Sequence, residues 1–184
     1  MKKTLFIILG VVVVLALYFV SLYNGFVGMN QNVTSKWAQV ENQLQRRFDL
    51  IPNLVEVVKG ITKQEQTVFG QIADARTRYS GAQSQSDKVA AAGQYESAIG
   101  RLLVITENYP ELKSSQAFSD LMIELEGTEN RISVERKNYN DTVQTFNTSL
   151  QKFPGGFVGR MFGFKDAEYF KVSEEAKQNP QVKF

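Results

Sequence analysis

The sequence predicts an all-α protein: an N-terminal transmembrane helix followed by an antiparallel, up-and-down bundle of long helices with coiled-coil-like packing. Three observations carry that expectation. The apolar run Leu5–Tyr23 contains no charge and a single glycine, Gly10. Beyond it, apolar residues recur every three or four positions, the period of one helix face. Runs of β-branched and aromatic residues bounded by turn signals, the mark of strands, are missing from that part.

The run LFIILGVVVVLALYFVSLY is about as long as a bilayer core requires, roughly 20 apolar residues in helix. A cleaved secretory signal has a shorter core, about 7–15 residues, followed by a small-x-small step. Here Ser21-Leu22-Tyr23-Asn24-Gly25 offers no such step, and Val14-Leu15-Ala16 lies inside the run. A retained anchor over residues 5–23 is therefore expected. Lys2 and Lys3 precede it and the next basic residue is Lys36, so the positive-inside rule places the short N-terminus (residues 1–4) in the cytoplasm and the bulk of the chain outside. Tyr18 and Tyr23 suit the far interface, where amphipathic rings sit well.

Setting aside Lys2 and Lys3 leaves 19 basic residues against 19 acidic ones. A formally neutral domain lacks the basic footprint of nucleic-acid binding, so the partners expected are the lipid bilayer, further copies of the chain and other envelope proteins. Histidine and cysteine are both absent. That excludes a histidine-based hydrolase, cysteine or histidine zinc sites, histidine-held haem, disulfides and a lipid-modified cysteine. No cofactor is expected. An enzyme built on this chain would have to use carboxylates, lysine or tyrosine.

About 160 residues follow the anchor, enough for one domain; the expected division is a bundle over 24–156 and an aromatic tail over 157–184. The first stripe, Trp37, Leu44, Phe48, Ile51, Val55, Val58, Phe69, Ile72 and Tyr79, keeps its phase through Pro52 and Gly60. It predicts one helix over 30–79, bent near Pro52; a break at Gly60 with Thr62 as N-cap is the alternative. A linker of Ser, Gly, Ala and Gln (80–86) precedes a second helix, with Ser86 as its cap and Asn108-Tyr109-Pro110 as its end. A third starts after Ser114 or Ser115. Along it Phe118, Leu125, Ile132, Tyr139, Phe146 and Phe153 recur every seventh position, which favours near-parallel helix packing. Pro154-Gly155-Gly156 should stop it.

The middle of that stripe is polar. Thr128, Glu129, Glu135 and Arg136 flank Ile132, with Arg131 beside them, and the first stretch has a similar interruption at Thr62, Glu65 and Arg76. A structural polar network of Glu129, Arg131, Glu135, Arg136, Arg76 and Glu65 is the expected use, with ion pairing to Arg131 and Arg136; a ligand site inside the bundle is the sharper alternative. The tail carries Phe157, Phe162, Phe164, Tyr169, Phe170 and Phe184 interleaved with Arg160, Lys165 and Lys171. It is expected to pack on the bundle, and the competing use is a membrane-interface segment.

Several stretches resemble the LemA family of bacterial envelope proteins: Phe48-Asp49-Leu50-Ile51-Pro52-Asn53-Leu54, Ala73-Asp74-Ala75-Arg76, Glu107-Asn108-Tyr109-Pro110-Glu111-Leu112, Leu125-Glu126-Gly127-Thr128-Glu129-Asn130-Arg131-Ile132 and Phe153-Pro154. The resemblance implies a membrane helix, a helical bundle and the bacterial inner membrane, and no defined activity. Gln64 stands where many relatives carry histidine. The function expected is that of a membrane-anchored, non-enzymatic scaffold or interaction protein that self-assembles. The alternatives are a binding module for a peptide or small envelope ligand and, more remotely, a hydrolase using Glu129 or Glu135.

Overall fold

The computed structural model describes residues 2–61 and 66–170. Its elements are α1 (Lys2–Ile61), α2 (Gln66–Gly81), α3 (Gln85–Thr106), the short α4 (Pro110–Lys113), α5 (Gln116–Gln151) and α6 (Gly155–Met161). No strand occurs among the described residues. The chain forms two compact units, and both long helices contribute to each. The first unit comprises residues up to Gln39 with Lys137–Tyr169; the second comprises Val40–Arg136 with Phe170.

In the first unit, α1 begins with the apolar run. Its large side chains from Leu5 to Val20 are all exposed, as is Tyr23. Burial starts at Phe26 and Val33, which join Tyr139, Val143, Phe146 and Leu150 of α5 in the core. Trp37, half-buried, meets Tyr139 edge-on at 5.4 Å between centroids. After α6 the chain runs back along α5. Asn147 brackets Ala167, its amide donating to the carbonyl (2.9 Å) and its oxygen accepting from the N–H (2.8 Å). The Tyr139 hydroxyl donates to the Glu168 carbonyl at 2.6 Å. Phe164 packs against Tyr23, Phe26 and Phe146.

Two glycines let α6 dock. A Cβ at Gly156 would stand 2.2 Å from the Leu150 carbonyl oxygen, and one at Gly159 would stand 2.7 Å from a Leu150 methyl and 3.1 Å from the Phe26 ring. At Gly156, where the neighbour is backbone, only a residue without a side chain permits that approach; at Gly159 the Leu150 methyl would have to shift.

In the second unit the direction of each helix follows from its cross-helix pairs. Phe48 and Lys59 of α1 meet Tyr79 and Phe69 of α2, so advancing along α1 means retreating along α2. Glu41 and Phe48 of α1 meet Lys88 and Tyr95 of α3, seven residues on in both helices, so these run the same way. Gln71 and Arg78 of α2 bond Arg101 and Gln94 of α3, which fixes opposite directions. The core collects Leu44, Phe48, Ile51, Leu54 and Val58 of α1, Ile72 of α2, Ile99 and Leu102 of α3, Leu112, and Leu125 and Ile132 of α5.

The single helix expected over 30–79 is corrected. The rings of Phe48 and Tyr79 lie 4.2 Å apart, whereas 31 residues of unbroken helix would separate them by about 46 Å. The helix passes through Pro52 and ends at Ile61, and α2 packs back against it. Folding back buries both halves of the stripe. The proposed cap at Thr62 and the network member Glu65 lie outside the described residues.

The cap of α3 is Ser84 rather than Ser86. Its hydroxyl accepts from the Asp87 N–H (3.0 Å) and bonds the Asp87 carboxylate (2.6 Å), a reciprocal arrangement that Ser86, with Val89 three positions on, has no acid to make. Pro110 opens α4 at its first turn, where a missing N–H costs nothing. The Ser115 hydroxyl accepts from the Phe118 N–H at the start of α5. Of the seven-residue stripe, Phe118, Leu125, Ile132, Tyr139 and Phe146 are buried. Phe153 is exposed because α5 ends at Gln151, two residues short of it.

Candidate functional site

The second unit carries a polar layer within its apolar core. Arg47 lies one turn beyond Leu44 and one before Ile51, on the buried stripe of α1. It donates from a guanidinium nitrogen to the Glu129 carboxylate on α5, 82 residues away in the chain. Arg136, two turns beyond Glu129, reaches Glu96 of α3 at 3.7 Å. Its guanidinium carbon also stands 4.6 Å from the centre of the Phe170 ring. Lys88 of α3 donates to Glu41 of α1. Thr128 is buried and returns its hydroxyl to the Leu125 carbonyl of its own helix at 2.7 Å. The helices are thus tied in pairs: α1 to α5, α3 to α5 and α3 to α1.

Tyr95 stands beside this layer. Its ring and that of Tyr79 flank Phe48, each at 4.2 Å between centroids. The Tyr95 hydroxyl is buried with no hydrogen-bond partner among the described residues, as are the Gln43 side-chain oxygen and the Nε of Arg47 and Arg136. Burial pushes the Tyr95 hydroxyl well above the ordinary tyrosine range; Arg76 and Arg47 oppose that rise and Asp49 adds to it. Tyr79 is pushed up to about 12, first by burial and then by the charge of Glu41. Tyr95 also lines a hollow of about 340 Å³ together with Ile51, Val55, Phe69, Ile72 and Arg76.

The expected network residues therefore divide. Glu129 and Arg136 enter the layer, but each takes a partner outside the expected set: Arg47 for Glu129, Glu96 for Arg136. Arg131 is exposed, since one step before Ile132 turns it off the buried face. Arg76 is exposed on α2, one step past the buried Ala75. Glu135 is half-buried. Of the anchor flanks, Lys2, Lys3, Tyr18 and Tyr23 are all exposed. Reading the sequence missed Arg47, Glu96 and Tyr95. Arg47 and Tyr95 were detectable, because each sits in phase with its own apolar stripe.

Chemically, the layer is a set of arginine–carboxylate pairs held in a largely apolar surround. No group of three or more metal-ligating side chains occurs among the described residues. Such pairs are costly to desolvate and strongly destabilising to half-remove. Glu129→Ala leaves Arg47, whose side chain is 10% exposed, without its carboxylate. The expected loss is about 2 kcal/mol, below the full buried-pair range because the Glu129 side chain is 37% exposed. The double variant R47M/E129L should recover most of it. Denaturant unfolding of the full chain in detergent, followed by circular dichroism, measures both; equal losses in the single and double variants would contradict the pairing.

The raised tyrosines set the alkaline limit. A folded-state value above the unfolded 10.0 means that their contribution is complete below pH 10 and is lost as pH rises toward about 12. Thermal midpoints should be level with respect to these groups up to pH 10 and fall beyond it, and Tyr79→Phe should flatten the fall. An unchanged slope in that variant would contradict the assignment.

Comparison with known proteins identifies the family. Magnetosome protein MamQ 2 of Paramagnetospirillum magneticum is 29% identical over 175 residues, covering 81% of this chain and 64% of its own length. Magnetosome protein MamQ of Magnetospirillum gryphiswaldense is 28% identical over 174 residues, covering 80% of this chain and 64% of its own. The chain thus spans a little under two thirds of these relatives. Protein LemA of Metamycoplasma hominis is 22% identical over 181 residues, covering 94% of this chain and 80% of its own. The family model described as LemA family matches residues 36–184. The chain belongs to the LemA family.

Proposed function

We propose that this chain is a membrane-anchored scaffold or interaction protein without catalytic activity, that it assembles with copies of itself, and that it presents its helical units on the extracytoplasmic face of the bacterial inner membrane. The observation that carries this reading is the contrast along α1. Its first turns bear apolar side chains that nothing in the described chain covers, whereas from Phe26 onward the same helix supplies core residues.

The chemistry of the polar layer supports a role in holding helices. Its half-buried carboxylates Glu129 and Glu96 are each engaged by arginine and Glu41 by Lys88, which leaves none of the three placed as a free acid–base group. The MamQ relatives are named for a cell structure, the magnetosome, and not for a reaction. Self-assembly draws support from α5. Ile123 and Val134 are both exposed and stand eleven residues apart, about three turns, so they share one outward face. Orientation rests on Lys2 and Lys3. A second reading, a binding module for a peptide or small envelope ligand, is favoured by the hollow that Tyr95 and Arg76 line.

Paired reporters at the C-terminus test the placement. A phosphatase that works only outside the cytoplasm should be active, and a fluorescent protein that matures only inside should stay dark. The reverse pattern overturns the orientation. Native mass measurement of the same membranes after detergent extraction should give multimers; monomers alone overturn self-assembly.

A further inference from the structure

The α6 segment leaves a group of large apolar side chains in the open. Phe153 is 90% exposed, Phe157 68%, Met161 59% and Phe162 50%. The first three fall at four-residue intervals, and Phe157 and Met161 share the outward face of α6. Its inward face is Gly156, Val158 and Gly159, all buried. Fully burying a side chain of this size is worth about 1.5–3 kcal/mol. Four left bare within ten residues point to a surface that covers them.

The position of α6 on α1 says which surface. A Cβ at Gly155 would lie 3.7 Å from the Phe26 ring and 4.0 Å from Leu22. The Phe162 ring stands 5.0 Å from that of Tyr23. So α6 rests at the level of residues 22–26, within about one helical turn of where the apolar run ends. Charge agrees with this placement. From Thr142 to Lys165 the chain carries Lys152, Arg160 and Lys165 and no acid. Arg160 pairs with Asp166 just beyond, at 3.4 Å, which leaves Lys152 and Lys165 as the cations of this stretch outside that pair.

We propose that α6 is a second membrane contact. Phe153, Phe157, Met161 and Phe162 insert into the interfacial layer of the leaflet from which α1 emerges, and Lys152 and Lys165 lie among anionic phospholipid headgroups. Interfacial helices of this kind bury their apolar face about 5–10 Å below the headgroup–acyl boundary. Their basic residues extend back toward the charged surface. The contact fixes the first unit against the bilayer, where α1 alone would leave it free to swivel. This inference rests on α1 crossing the membrane.

The test uses the full chain in nanodiscs of phosphatidylcholine and phosphatidylglycerol, with plain or brominated acyl chains, and reads quenching of one tryptophan at a time. The native Trp37, about 21 Å along α1 beyond Tyr23, is the distant reference. Val13→Trp and Phe157→Trp, each combined with Trp37→Phe, report the anchor and α6. Both replaced positions are exposed, so helical content should match that of the parent. The proposal expects brominated lipid to quench Val13→Trp and Phe157→Trp by about two-fold or more and to leave Trp37 unchanged. Quenching at Val13→Trp without quenching at Phe157→Trp overturns the α6 contact and leaves the anchor standing. Quenching at neither overturns the anchor as well. A Phe157→Trp signal shielded from water yet untouched by bromine, and dependent on the protein-to-lipid ratio, overturns the proposal in favour of a second copy on this face.

Discussion

A helix whose surroundings change along its own length, from exposed apolar side chains to buried ones, is the constraint on which everything else depends. The backbone of α1 satisfies its own hydrogen bonds, which is what a segment in hydrocarbon requires. Its side chains divide. From Leu5 to Val20 the large ones are exposed and apolar. From Phe26 they turn into a protein core, first with α5 and the segment after α6, then in the second unit with α2, α3 and α5. One helix thus carries both the exposed apolar run and much of the core.

Within the second unit the apolar stripes provide cohesion but little discrimination between registers. Sliding a helix by one turn would still oppose Leu, Ile and Val to one another. The polar layer is proposed to supply the discrimination: Arg47 meets Glu129 and Arg136 meets Glu96 in the observed arrangement, and a shift that separated them would leave a buried guanidinium without its carboxylate. The Tyr95 hydroxyl, buried without a partner among the described residues, does not fit this account of mutual satisfaction, and Tyr95 lines a hollow that Arg76 also borders.

Much of this was legible in the sequence, and the failures have physical causes. The apolar run was plain because its length without a charge is visible at once, and its large side chains are exposed in the structure. The stripes from Leu44 to Tyr79 and from Phe118 to Phe146 were plain because burial follows helical period. The break between α1 and α2 was kept only as the alternative for the same reason: phase is kept across Gly60, and periodicity cannot distinguish a straight helix from one folded back on itself. Ser84 was passed over for Ser86 because only the Asp87 carboxylate distinguishes them. The acids near Ile132 were visible as interruptions, but their partners were not, since Arg47 is 82 residues from Glu129. The exposed face of α6 was hidden by its glycines, which read as helix breakers and serve here as points of close contact.

The claim beneath all of this is that residues 5–23 stay on the protein and stay in lipid. Intact-mass measurement of the chain recovered from alkaline-washed membranes tests it most directly. The account predicts a membrane-retained species whose mass includes Leu5–Tyr23. A mature chain that begins beyond Tyr23 and leaves with the wash would contradict it.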